Sequence, residues 1–385
     1  MSNEEYFGKG NASLYDEYMD FINYVFGFNG NTNDFKKLLP KLYKEENHPC
    51  ESSYVALENG KIKAAIGAFD HDISVCGHYI KTRGIGNVAV HPYTRSRGYM
   101  KKLMNMALDD MIADGVALSV LGGRRQRYNY FSYDKAGYVV SLSLNADNMR
   151  HVFGTDRCHD FSFAYVSADD AEMLRFIHEM NDNEDFHAVR PADKLFDILS
   201  SWKQKIIAAY VNDKLEGYCV FKDDTVSEIH LLNEDRIADF SAALYDFIGK
   251  DRLSFKIPPF KRIYIDKMLK ICEFYDVEPY KSFSVLNYKT VISAFMELKG
   301  KYSVLPDGIL VLLIHGRGGD ENIAVEVKNR VVSVTDTQRE PDLTLEHLEA
   351  MNLLFASINV ERDSLPDFAR IWFPLPIFLY CSDGV

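Results

Sequence analysis

The stretch that decides the fold is Gly86-Asn87-Val88-Ala89-Val90-His91-Pro92-Tyr93-Thr94-Arg95-Ser96-Arg97-Gly98-Tyr99-Met100. Its first half is a short apolar strand running from Ile85 to Val90. Pro92 ends the ladder because it offers no N–H. A polar loop holding Arg95, Arg97 and Gly98 then enters a helix expected from about Tyr99 to Ala113, stopped at Asp114-Gly115. A strand, a loop with glycine and a helix N-terminus together present several backbone N–H groups to a phosphate, with the helix dipole favouring the anion. Gly98 permits close approach of the backbone. A plain strand-to-helix turn with solvated arginines is the alternative, and one such loop does not identify the nucleotide.

Outward from this loop the chain reads as alternating strands and helices. Tyr54 to Leu57 and Ile62 to Phe69 flank Asn59-Gly60, a hairpin signal. Ile73 to Ile80 and Ala117 to Leu121 read as strands, followed by Tyr138 to Leu144. A second α/β unit follows from about 150 to 286, with a hairpin around Asn212-Asp213. The last stretch opens with a helix near Val291 to Leu298. It continues with strands at Tyr302 to Leu305, Ile309 to His315, Ile323 to Val327 and Val331 to Val334. A helix capped by Thr344 is expected next, then a Pro-punctuated apolar segment, Trp372 to Tyr380. Gly316-Arg317-Gly318-Gly319 reads as a hairpin loop, since no helix follows it.

Composition bounds the function. The 385 residues carry a net charge of −12, a poor match to a phosphate backbone gripped over a wide surface, so no nucleic-acid partner is expected. The six cysteines form no Cys-x-x-Cys pair, so no metal site is expected and the thiols read as reduced, in a cytoplasmic protein. The longest aliphatic runs fall far short of the roughly 20 residues that span a bilayer.

Arg95-Ser96-Arg97-Gly98-Tyr99-Met100 resembles the Arg/Gln-x-x-Gly-x-Gly/Ala coenzyme A loop of the GNAT acetyltransferase superfamily, with Met100 departing from the small last residue. Tyr133-Asp134-Lys135-Ala136-Gly137-Tyr138 resembles that fold's Tyr-x-x-x-Gly-aromatic motif. The order of the three stretches, with Glu340-Pro341-Asp342-Leu343-Thr344 looking like part of a sterol-carrier module, is similar to the enhanced intracellular survival (Eis) acetyltransferases. The resemblance implies an α/β and α+β chain: a GNAT domain over 1–148, a second GNAT-like domain lacking the loop over 149–286, and a sterol-carrier-like domain over 287–385.

It also implies acetyl-coenzyme A as co-substrate and a small cationic amine, aminoglycoside- or polyamine-like, as acceptor. A homo-oligomer, often a hexamer, goes with the family. Val88, Ala89, Val90, Arg95, Ser96, Arg97, Gly98, Tyr99, Met100 and Lys101 would hold coenzyme A, with Tyr128 and Asn129 bordering it. Tyr133 is taken as the general acid from its place in the motif, with Tyr128 and Tyr130 as neighbouring rivals. The carboxylate of Val385 is taken as the general base by its position at the chain end, with Asp70, His71 and Asp72 as the next candidates. Two readings of other classes stand beside this one: a non-catalytic acyl-coenzyme A sensor, and a lipid carrier acting through the last domain.

Overall fold

The computed structural model describes residues 5–28, 30 and 34–385. In the first unit, β1 (Glu5–Lys9) is followed by helices α1 (Tyr15–Gly27), α2 (Phe35–Leu38) and α3 (Pro40–Tyr43). Strands β2 (Ser53–Glu58) and β3 (Lys61–Asp70) form the expected hairpin, with Asn59 and Gly60 both at positive φ. The run expected as one strand over 73–80 is two, β4 (Ile73–Val75) and β5 (His78–Ile80). Cys76 and Gly77 turn the chain back at φ of +50° and +82°. Then come β6 (Thr82–Val90), α4 (Tyr99–Ala113), β7 (Leu118–Leu121), α5 (Arg125–Tyr128) and the long β8 (Asp134–Asn145).

The second unit contains α6 (Ala146–Phe153), β9 (Phe161–Tyr165), α7 (Ala171–Asp182), β10 (Phe186–Ala188) and α8 (Leu195–Ser200). It continues with the hairpin β11 (Lys205–Val211) and β12 (Lys214–Lys222), then β13 (Thr225–Leu231), α9 (Ile237–Ile248), β14 (Arg252–Ile257), α10 (Arg262–Leu269) and β15 (Phe274–Val285). The last unit is α11 (Tyr288–Tyr302), β16 (Gly308–Gly316), β17 (Gly319–Lys328), β18 (Val331–Asp336), β19 (Leu343–Glu346), α12 (His347–Phe355) and α13 (Asp367–Trp372).

Twelve strands make one sheet in the order β1-β2-β3-β6-β7-β15-β8-β14-β13-β12-β11-β9. The first five and the last five mirror each other, and each half contains one parallel pair, β6 with β7 and β13 with β14. The closing strands are exchanged: β8 leaves the first unit to pair with β14, while β15 returns from the second unit to lie between β7 and β8. The sheet therefore runs unbroken across position 148. Strand β10 pairs with β4, tying the second unit to the first a second time.

The last unit is α+β, with a sheet ordered β18-β17-β16-β19. Two expectations fail there. Tyr302 closes α11 and is not in a strand, and α12 starts at His347, not after Thr344. Glu346 and Glu349 form the capping box of α12, an arrangement that leaves Leu343 to Glu346 free to pair with β16. The segment from Trp372 to Tyr380 is buried almost throughout, sharing one apolar core with α11, α12, β7 and β15. That burial fixes where the last five residues emerge.

Candidate active site

β6 and β7 pair from Thr82–Leu118 to Ile85–Leu121 and then part, since β7 ends while β6 continues to Val90. On its other edge β6 stays paired with β3, through a bulge where Asn87 sits at φ +48°. Past Ile85 the edge facing β7 thus has main-chain donors and acceptors free for a ligand. A cavity of about 590 Å³ opens at this point, and Val88, Leu121, Arg127, Tyr128, Trp202 and Val385 are among its walls. Asn87 also lines it, and its buried Nδ2 has no hydrogen-bond partner among the described residues.

The loop that follows β6 exposes the start of a helix. Arg95, Ser96, Arg97 and Gly98 are exposed, and Gly98 caps the 15-residue α4 at φ +80°. A Cβ at that position would meet no atom, but the backbone angle is one that only glycine adopts cheaply. The first N–H groups of α4 are therefore unobstructed on the solvent side. Arg97 donates to Glu58 Oε1 at 2.6 Å, and the buried Tyr99 hydroxyl bonds Glu58 and Glu5, so the helix start is anchored to β1 and β2. The residues present fit a pyrophosphate at this loop. Met100 packs against the core behind α4, and Lys101 lies over the Tyr130 ring at 4.9 Å. Val88 faces the cavity, while Ala89 is buried on the opposite face, and Val90 pairs with Ala64.

The two tyrosines change places relative to the sequence reading. Tyr133 has no exposed surface, and its hydroxyl lies 2.7 Å from Ser119 Oγ, which donates in turn to Arg83 O. It lies behind the cavity wall, packed in the core under α4, because β8 begins at the next residue and turns it inward. Tyr128 ends α5 and lines the cavity, with Gly123 packed beneath its ring. Burial, opposed by Arg127, raises its phenol above the ordinary range, so it stays protonated at neutral pH. Asn129 does not reach the cavity; its Nδ2 donates to Tyr133 O at 2.8 Å. The signal for Tyr128 was present, since it too stands before a glycine-like turn, Ser132 at φ +69°.

The chain end is held in the first unit. Val385 packs into a cradle left by two glycines of β6. A Cβ on Gly84 would meet Val385 Cγ2 at 2.5 Å, and one on Gly86 would lie 3.5 Å from the Val385 main-chain carbon. The preceding residues are pinned by side chains of the first and second units. Lys41 on α3 donates to Ser382 O at 2.5 Å, Trp202 to Gly384 O at 3.3 Å, and Lys281 to Tyr380 O at 3.0 Å. Arg190, 1% exposed in its side chain, bridges Glu228 and Asp383 with two bonds to each, all at 2.7–2.8 Å. For Asp383, burial alone would raise the carboxyl, but Arg190 and then Lys41 hold it below the usual range. Burial brings Lys41 down to about 7, against the pull of Asp383.

The reserve bases are otherwise engaged. Asp70 accepts from Arg83 Nε at 2.6 Å, and Asp72 binds Tyr79 and the Thr82 N–H. His71 has both ring nitrogens buried without a partner among the described residues. Burial, with Lys41 and Lys281 nearby, lowers it to about 3, so it is neutral across the physiological range.

The structure thus brings together a free strand edge of β6 and a cavity lined by Tyr128 and Val385, and it exposes the glycine-capped start of α4 after the same strand. Residues 9–140 match the family described as the acetyltransferase (GNAT) domain, so this stretch is a GNAT acetyltransferase domain, which implies an acyl-coenzyme A as co-substrate. No curated protein matches the chain by sequence. The whole chain is similar in fold to Eis1 from Mycobacterium abscessus, with 14% identity, 98% of each chain covered and a TM-score of 0.62. It is also similar to a conserved protein of unknown function from Enterococcus faecalis V583, with 16% identity, 97% of each chain and a TM-score of 0.69. A GCN5-related N-acetyltransferase from Anabaena variabilis shares the fold over 89% of this chain and 88% of its own, at 14% identity and a TM-score of 0.65. Among the described residues, no helix is long and apolar enough to cross a membrane.

Proposed function

We propose that the chain transfers the acetyl group of acetyl-coenzyme A directly to a small amine. The observation that carries this is that the free edge of β6, Tyr128 and Val385 share one cavity. The pyrophosphate sits on the loop from Arg95 to Lys101, and the pantetheine arm takes the strand edge past Ile85. An alkylamine of pKa ~10.4 must lose its proton at pH 7, a cost of roughly 4–5 kcal/mol at about 1.4 kcal/mol per unit. The Val385 carboxylate accepts that proton as the amine nitrogen attacks the thioester carbon. Main-chain N–H groups of β6 and the unpartnered Asn87 amide donate to the oxyanion. The C–S bond then breaks, Tyr128 gives its proton to the departing thiolate and regains one from the positively charged nitrogen of the adduct, and the products are the N-acetyl amine and free coenzyme A.

The second unit and the last unit, the latter sterol-carrier-like by resemblance, serve here as the frame that holds residues 381–385 in place. Deleting Gly384 and Val385, or extending the chain past Val385 by a short tag, tests this reading. Either change is expected to leave coenzyme A affinity intact in calorimetry and to abolish turnover. A tagged chain with full activity would place the base elsewhere.

A further inference from the structure

Among the described residues, the cavity that receives the acceptor carries no carboxylate side chain. Its acceptor side is walled by Phe26, Phe35, Leu38, Leu39 and Trp202, and Val385 lines the same cavity. The charged side chains on its walls are both cations, Arg127 and Lys281. A second cavity, about 240 Å³, lies on the other side of Val385 and does contain Asp70 and Asp383. Asp383 is held by Arg190 at 2.8 Å, Asp70 gives one oxygen to Arg83 at 2.6 Å, a guanidinium it shares with Asp114, and Lys41 and Lys194 line the same space. The cavity that holds Tyr128 and the edge of β6 therefore offers, among the described residues, no acidic side chain to a second or third ammonium group.

Polycations need such partners, because each buried charge without one is strongly disfavoured. An amine on an apolar body needs none. It buries its ring against Phe26, Phe35 and Trp202. In an apolar space beside two cations its own ammonium is also easier to deprotonate, which is the form that attacks. We infer that the acceptor is a monoamine on an aromatic or bulky apolar body, not an aminoglycoside or polyamine.

This inference rests on the acetyl-transfer reading, and one experiment separates the two. Thiol release from acetyl-coenzyme A is measured with 2-phenylethylamine and tryptamine against spermine and kanamycin. For the better arylalkylamine, kcat/KM is expected to exceed that of either polycation at least tenfold. Phe26→Glu, at a side chain 40% exposed, and Leu38→Glu, on the rim of α2, are expected to shift the ratio toward spermine. Preference of the unaltered protein for spermine or kanamycin would overturn the substrate class while leaving acetyl transfer standing. Absence of amine-dependent thiol release with all four would overturn acetyl transfer, and the substrate class with it.

Discussion

Asp383→Asn isolates the latch that holds the end of the chain. The asparagine keeps the shape and one acceptor, while Arg190 keeps its two bonds to Glu228, so no guanidinium is stranded. What is lost is the charge-assisted pair of 2.8 Å bonds between Arg190 and Asp383. Hydrogen bonds to charged groups contribute about 1.5–3 kcal/mol each and do not add fully, so a loss of about 2–3 kcal/mol is expected. Because the pair anchors a short terminal segment, the loss should appear as local opening more than global unfolding. The amides of Asp383 and Gly384, bonded to Tyr380 O and Cys381 O, report it. Their hydrogen exchange should accelerate roughly 30- to 150-fold at about 1.4 kcal/mol per decade.

The pH dependence has a definite sign. The folded-state carboxyl of Asp383 is held below its unfolded value of ~3.9, so its contribution is full above that pH and is lost as pH falls through the lowered value. The difference in protection between the two proteins should therefore close toward acid. Turnover should drop with acetyl-coenzyme A affinity unchanged. An exchange rate altered less than threefold at pH 7 would refute the idea that this ion pair holds the tail.

The remaining predictions concern the loop and the acid. Gly98→Val places a β-branched side chain at φ +80° and at the mouth of the anion site; calorimetry on the folded variant should show severe loss of coenzyme A affinity, and unchanged affinity would count against the loop. Tyr128→Phe should lower kcat by roughly 10²–10⁴-fold with coenzyme A binding kept, whereas Tyr133→Phe should leave kcat largely intact and act on stability through Ser119. The reverse order would restore Tyr133 as the acid.

Much of the first unit, and one hairpin of the second, was legible because its signals are local. The Asn59-Gly60 and Asn212-Asp213 turns, the Gly98 helix entry and the capped α4 are each set by residues adjacent in sequence. The exchange of β8 and β15 was not, since strand partners more than a hundred residues apart leave no periodic trace. For the candidate site, the loop does join a strand to a helix and Val385 lines the cavity, but the choice between Tyr128 and Tyr133 turned on five residues. Both precede a residue at positive φ, Ser132 in one case and Gly137 in the other, and only the register of β8 decides which phenol faces the cavity. The apolar acceptor wall was hidden for a related reason. Phe26, Phe35 and Trp202 lie on separate elements, Trp202 far from the other two in sequence, and the fold alone brings them to one cavity.

The central claim is that acetyl transfer to an amine occurs in the cavity between β6 and β7. Its most direct test is a single-pot measurement of coenzyme A thiol and N-acetylated arylalkylamine, by thiol titration and mass spectrometry, on the full chain. The account predicts equal amounts of both products, with neither formed when amine is withheld beyond the rate of spontaneous hydrolysis. Tight binding of acetyl-coenzyme A with no amine-dependent release of thiol would contradict it and would identify the chain as a binder of acyl-coenzyme A, not an enzyme.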